Sequence, residues 1–211
     1  ILDYLINFGN DRTCNIKIKI MFSKETFYNK KILIYGLGLS GKSCLKYLNK
    51  YNKVTIFDDN KFLKNNKNKN LFASINAISK QNFDFIVISP GIDINKCKLN
   101  KYLIKNQKKI ITELDIFYLI YPNNTSITIT GTNGKSTTCQ MLYNIIKSNK
   151  SDVRLVGNIG KPPLLEKKIN KKTIFIIEVS SYQIFYNKYF KTDHAAILNL
   201  GTDHLERHSN L

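Results

Sequence analysis

The 211-residue sequence contains no tryptophan, only 4 prolines and 4 cysteines, and 3 histidines. The cysteines, Cys14, Cys44, Cys97 and Cys139, form no CxxC pair and have no histidine at zinc-ligand spacing. That leaves no zinc-ligand set, and the cysteines read as free thiols in a reducing cytosol. No apolar run approaches the ~18–20 residues of a membrane span; the longest, such as Ile174 to Ile177, are strand-sized. No apolar leader with a small-residue cleavage site opens the chain, so the sequence reads as cytoplasmic, with no membrane partner. Acidic residues are scarce: 15 Asp and Glu against 33 Lys and Arg, a net charge of +18. Of those cations 30 are Lys and 3 are Arg, whereas base readout favours Arg. Ile (30) and Asn (26) are in excess together with Lys, as A/T-rich codons produce. The charge therefore predicts weak, salt-sensitive attraction to polyanions and no specific nucleic-acid partner. With 43% hydrophobic and 23% charged residues, the composition is that of a globular α/β protein able to bury a core.

The first methionine is Met21, and residues 1–20 read as an upstream extension of the reading frame. From Lys31 the pattern is strand, glycine loop, helix: Ile32 to Tyr35, Gly36-Leu37-Gly38-Leu39-Ser40-Gly41, then 40–50 with Cys44, Leu45 and Leu48 at helical spacing. Strands follow at Val54 to Phe57, Phe85 to Ile88 and Ile110-Ile111, with helices at 99–106 and 113–120. The polar run 61–70 reads as a surface loop. Near Tyr121-Pro122-Asn123-Asn124 the grammar restarts, with a strand at Ile127 to Ile129, a second glycine loop, a helix over 136–148 and two buried strands at 174–178 and 195–199. Strands alternating with helices predict parallel sheets.

Four stretches carry chemistry. The first loop matches GxGxxG between a strand and a helix, where backbone N–H groups and the helix dipole favour a diphosphate. Asp58, 20 positions after Gly38, stands where an acidic residue would meet ribose hydroxyls. The second loop, Gly131-Thr132-Asn133-Gly134-Lys135-Ser136, is shorter than the usual GxxxxGK[ST] but keeps its strand-to-helix setting. Its amides can cradle phosphate, Lys135 can reach the β/γ oxygens, and Ser136 can ligate Mg2+. Glu178, at a strand end before Val179-Ser180-Ser181-Tyr182-Gln183, is the candidate for a second Mg2+ ligand. His204 beside Asp203, after Asn199-Leu200-Gly201-Thr202, and the glycine-flanked Asn158 gain weight only from this company.

Taken in order, GLGLSGKS (36–43), SPGI (89–92), TGTNGKST (130–137), GNIG (157–160), EVSSYQ (178–183) and ILNLGTDHLERH (197–208) resemble the Mur ligases, and among them the D-glutamate-adding branch. The resemblance implies an α/β fold: a Rossmann-like, UDP-binding domain over 21–122, then the first part of a P-loop-type, ATP-binding domain over 123–211. It implies that Leu39, Ser40, Asp58 and Gly91 hold the UDP moiety, with Asn158 on the substrate near the reacting centre. Gly131, Thr132, Asn133, Gly134, Lys135, Ser136 and Thr137 would bind ATP, with Lys135 and His204 catalytic and Ser136, Glu178 and His204 as Mg2+ ligands. The implied reaction, a step of peptidoglycan precursor synthesis, activates the carboxylate of UDP-N-acetylmuramoyl-L-alanine as an acyl phosphate for attack by D-glutamate, in a monomer. Two departures stand out. Asp59 and Asn60 follow Asp58 where the family often has Thr-Arg. The chain also ends 7 residues after His204, short of the family's carbamylated lysine and amino-acid domain. These 211 residues alone are therefore expected to bind phosphate without ligating D-glutamate.

Other readings remain open at this level. Another Mur ligase or a folylpolyglutamate synthase shares the short phosphate loop. An NAD-dependent oxidoreductase would use the first loop and Asp58 but leaves the second loop, Glu178 and His204 without a role. A non-catalytic nucleotide-binding module is the third.

Overall fold

The computed structural model describes residues 24–60 and 69–201. The readings on residues 1–20, on 61–68 of the polar run, and on His204 lie outside them. Two four-stranded sheets, all strands parallel, form in succession. The first contains β1 (Lys31–Tyr35), β2 (Lys53–Phe57), β3 (Phe85–Ile88) and β4 (Ile110–Ile111) in the order β2-β1-β3-β4. Its connections carry α1 (Leu39–Leu48), the short α2 (Ile75–Ser79) and α3 (Asn100–Lys105). Helix α4 (Glu113–Ile120) then leads to the second sheet.

That sheet has β5 (Ser126–Thr130), β6 (Val153–Gly157), β7 (Ile174–Glu178) and β8 (His194–Ile197), ordered β6-β7-β5-β8. Helix α5 (Lys135–Ser148) follows β5, and α6 (Ser181–Phe185) follows β7.

The two-residue period of the strands sorts side chains into layers. Ile32 and Ile34 of β1 face α1 and α4, whereas Leu33 and Tyr35 face α2 and α3. In β7, Phe175 and Ile177 join the cluster built around α4, and Ile176 joins Cys139 of α5. Helix α4 is apolar nearly all round, as a helix between two sheets must be. Its Phe117 meets Phe175 edge-on at 4.8 Å, a contact of about 1 kcal/mol beyond the area it buries.

A buried acid also anchors α4. Thr112 and Asp115 form a capping box, and Asp115 Oδ1 accepts the N–H groups of Lys188, Tyr189 and Phe190 at 2.9, 2.7 and 2.9 Å. The segment before β8 is thereby fastened to the first half of the chain.

One expectation is corrected. The last strand is His194–Ile197, not 195–199, and all four of its residues are exposed. It lies at a sheet edge and pairs only with β5 among the described residues, so one neighbour cannot bury it. β7 is interior, between β6 and β5. The polar Arg154 hides β6 from the sequence pattern; it stands on an edge strand and is spent on Asp152 and Glu166.

Candidate nucleotide and metal sites

In the first sheet, strand order turns back between β1 and β3, where open α/β sheets bind ligands beyond the carboxyl ends of the strands. The candidates meet there. Gly36, at φ +91, donates its N–H to Phe57 O at 2.9 Å. Leu37 N–H donates to Asp58 Oδ2 at 2.6 Å, and the Ser89 hydroxyl donates to Gly36 O at 2.9 Å. A Cβ on Gly41 would stand 1.8 Å from Gly36 O, so this glycine lets α1 close onto the turn. A Cβ on Gly38 or Gly91 would meet nothing within 4 Å, which leaves open space at both. Gly38 caps α1 with no side-chain bond, and Leu39 and Ser40 form the helix's first turn, Leu39 being exposed.

Asp59 does not point to a ligand. It accepts the Tyr35 hydroxyl at 2.7 Å and pairs with Lys98 at 3.2 Å. Burial and this acid together push the Tyr35 hydroxyl far above the usual tyrosine range. Under the loop, the Ser43 hydroxyl donates to Glu113 Oε1 at 2.5 Å. Burial raises the Glu113 carboxyl, opposed by bonds from Ser43, Ser40 and the Leu164 backbone.

In the second sheet, the loops after β5, β7 and β8 are neighbours because those strands are adjacent. Gly131 (φ +144) and Gly134 (φ +81) shape the first of these loops, and Gly134 caps the 14-residue α5 with no side-chain bond. The amides that open α5 therefore have no partner from helix or cap. Lys135 Nζ donates to Gly131 O at 2.6 Å and Thr132 O at 2.8 Å; Ser136 and Thr137 are exposed in the first turn.

Glu178 is 1% exposed. Its Oε1 accepts Asn158 Nδ2 at 3.1 Å, and its Oε2 is buried with no hydrogen-bond partner. Asn158 N–H also donates to Glu178 O at 2.9 Å. Burial, with the Glu178 carboxylate next, pushes the Cys139 thiol up to about 12. Among the described residues no group of three or more His, Cys, Asp or Glu gathers to hold a metal. An ion at Glu178 would need further oxygen ligands such as hydroxyl, phosphate and water, the mixed shell Mg2+ favours.

Asn158 thus lies with Glu178 in the second sheet, apart from Leu39, Ser40, Asp58 and Gly91 in the first. Sequence reasoning passed over Asn199, whose side chain bonds the second loop, and the buried acids Glu113 and Asp115. Thr112-x-x-Asp115 before an apolar run was the signal available for the last.

Comparison with known proteins shows the family. The Mur ligase MurD-like N-terminal domain matches residues 30–112, and the Mur ligase middle domain matches 129–211. A Rickettsia felis protein named UDP-N-acetylmuramoylalanine--D-glutamate ligase is 35% identical over 189 residues, 86% of this chain and 41% of its own length. A protein of the same name from Caldicellulosiruptor saccharolyticus is 33% identical over 199 residues, 87% of this chain and 43% of its own. The chain thus spans about two fifths of the length of the curated relatives it matches.

The crystal structure of UDP-N-acetylmuramate:L-alanyl-gamma-D-glutamyl-meso-diaminopimelate ligase from Neisseria meningitides superposes with a TM-score of 0.52 at 14% identity. It covers 87% of this chain and 64% of that one, and it shows the fold. Two consecutive family domains, each on its own parallel sheet with its own glycine loop, place the chain in the Mur ligase family.

Proposed function

We propose that this chain carries the UDP-substrate and ATP sites of an ATP-dependent ligase that adds D-glutamate to UDP-N-acetylmuramoyl-L-alanine. The observation that carries the reading is Glu178 Oε2, a buried carboxylate oxygen without a partner beside a phosphate-type loop. An oxygen so placed fits a hard cation, so Glu178 and Ser136 are the residues that would hold Mg2+. When bound, Mg2+ offsets the negative charge of the phosphates. The amides opening α5 bind phosphate oxygens, and Lys135 exchanges the carbonyls of Gly131 and Thr132 for them. Asn158, just after β6, fixes the Glu178 carboxylate, and Asp58 and the turn around Gly36 hold the nucleotide end of the other substrate.

In the reaction, a carboxylate oxygen of UDP-N-acetylmuramoyl-L-alanine takes the γ-phosphoryl group and ADP leaves. The D-glutamate amine attacks the acyl carbon, phosphate departs, and the amine loses a proton as the amide forms. The reading divides the chain at about residue 122, into a UDP-binding unit (21–122) and an ATP-binding unit (123–211). It places the reaction in the cytoplasm on small-molecule substrates, in a monomer. It assigns His204 to a second Mg2+.

Calorimetric titration of ATP with Mg2+ and with EDTA tests it. The proposal expects Mg2+ to tighten binding about tenfold or more. Equal affinity in EDTA would remove the metal from the site and the ligase reading with it.

A further inference from the structure

We propose that Asn199 is the positioning residue of the phosphate loop, its side-chain amide pairing with both backbone groups of Asn133. The inference rests on reading 131–136 as the phosphate loop. Asn133 N–H donates to Asn199 Oδ1 at 2.8 Å, and Asn199 Nδ2 donates to Asn133 O at 3.0 Å. Two further bonds flank the pair: Thr132 N–H to Asn199 O at 3.2 Å and Gly201 N–H to the Thr132 hydroxyl at 2.9 Å. Gly131 eases the docking: its φ is +144, and a Cβ there would crowd Asn199 N and Asn199 O at 3.2 Å.

The arrangement compensates for a short loop. Only Thr132 and Asn133 separate Gly131 from Gly134, two residues fewer than the four between the glycines of GxxxxGK. Such a loop offers few amides to an anion. Here the N–H groups of Thr132 and Asn133 turn sideways to Asn199, which leaves the amides at the start of α5 to the phosphates. Asn199 follows Leu198, whose N–H still pairs with Thr130 O at 3.0 Å, so the brace is an extension of the β5–β8 ladder. It ties the nucleotide loop to the strand end from which the chain runs toward His204.

Asparagine suits the place because it alone presents a donor and an acceptor at the span of a peptide group on so short a stem. Aspartate keeps the acceptor for Asn133 N–H, loses the donor, and sets a negative charge beside the loop. Asn199 is exposed, so neither Asn199→Ala nor Asn199→Asp opens the core.

The test uses the full chain and two readouts. Amide hydrogen exchange without nucleotide should quicken about tenfold at Asn133 in Asn199→Ala. MgATP should bind about tenfold more weakly to Asn199→Ala, and more weakly still to Asn199→Asp, while affinity for UDP-N-acetylmuramoyl-L-alanine stays that of the wild type. Wild-type exchange at Asn133 and wild-type MgATP affinity in both variants would overturn the brace and leave the ligase reading intact. A wild-type chain that binds no MgATP would overturn the phosphate-loop reading instead, and the exchange rate at Asn133 would still decide whether Asn199 holds the loop.

Discussion

Asn158 and Glu178, 20 residues apart, are joined twice: Asn158 N–H donates to Glu178 O at 2.9 Å, and Asn158 Nδ2 donates to Glu178 Oε1 at 3.1 Å. The register of β6 on β7 sets Gly157 opposite Glu178. A Cβ on Gly157 would come within 2.2 Å of Glu178 O. Glycine thus lets the two strands and the two side chains meet, and the pair leaves one carboxylate oxygen buried without a partner.

Glu178→Gln should therefore separate stability from binding. The amide keeps an acceptor for Asn158 and trades a buried, partly unpaired carboxylate for a neutral group, so folding stability should change by no more than about 1 kcal/mol and the melting temperature should shift little. Affinity for MgATP should fall about tenfold or more, and the advantage of Mg2+ over EDTA should vanish. A thermal melt and a titration on the same sample check both. A lower melting temperature with unchanged Mg2+ dependence would make Glu178 a purely structural acid.

Gly38→Ala and Gly41→Ala should behave oppositely. At Gly38 an added Cβ meets nothing within 4 Å, and φ is −65, so the variant should lose no more than about 1 kcal/mol. Its loss should appear in affinity for the UDP substrate, because the methyl group occupies the approach of a diphosphate. At Gly41 the Cβ would lie 1.8 Å from Gly36 O. The clash outweighs the ~1 kcal/mol of helix propensity gained by alanine, and destabilisation of about 3 kcal/mol or more is expected. Urea melts rank the two.

Asp115→Ala removes the acceptor for three consecutive N–H groups, those of Lys188, Tyr189 and Phe190, and half of a capping box. Losing three bonds to a buried carboxylate, from donors that are themselves only partly buried, costs about 3 kcal/mol. Urea denaturation should show that loss, and limited proteolysis should cut first near 188–190. Cleavage elsewhere at wild-type stability would remove Asp115 as the fastening of the two sheets.

Glu113 makes a pH prediction. Its carboxyl is raised, burial being the first cause, so the folded chain holds this proton to higher pH than the unfolded chain does. Stability from this group is therefore present at low pH and declines as pH rises from the unfolded value through the folded one. Glu113→Gln removes the decline. The variant's melting temperature relative to wild type should climb as pH rises above the ordinary glutamate range of about 4.3. A flat or falling difference would show that the bonds from Ser43, Ser40 and Leu164 outweigh burial.

The strands and helices that place the glycine loops were legible in the sequence because apolar runs such as Ile32 to Tyr35 and Ile174 to Ile177 end at glycine or an acid. β6 was not, because Arg154 breaks the alternation, and its partners Asp152 and Glu166 are evident only in three dimensions. The burial of β8 was misjudged because an apolar run carries no mark of sheet order, and β8 falls at an edge. The motif residues could be named singly, but the pairing of Asn158 with Glu178 needs β6 beside β7. Asn199 stands in a motif stretch, but its role is not legible there: its partner, Asn133, is 66 residues away and is met through backbone atoms that no motif records.

The most direct test of the central claim is a calorimetric titration of the first cleft with UDP-N-acetylmuramoyl-L-alanine and, separately, with NAD. Both carry a diphosphate, so the test isolates what the rest of the cleft selects. The account predicts saturable binding of the UDP substrate, weakened by Asp58→Ala, and at least tenfold weaker binding of NAD. Tight NAD binding with no heat from the UDP substrate would contradict it.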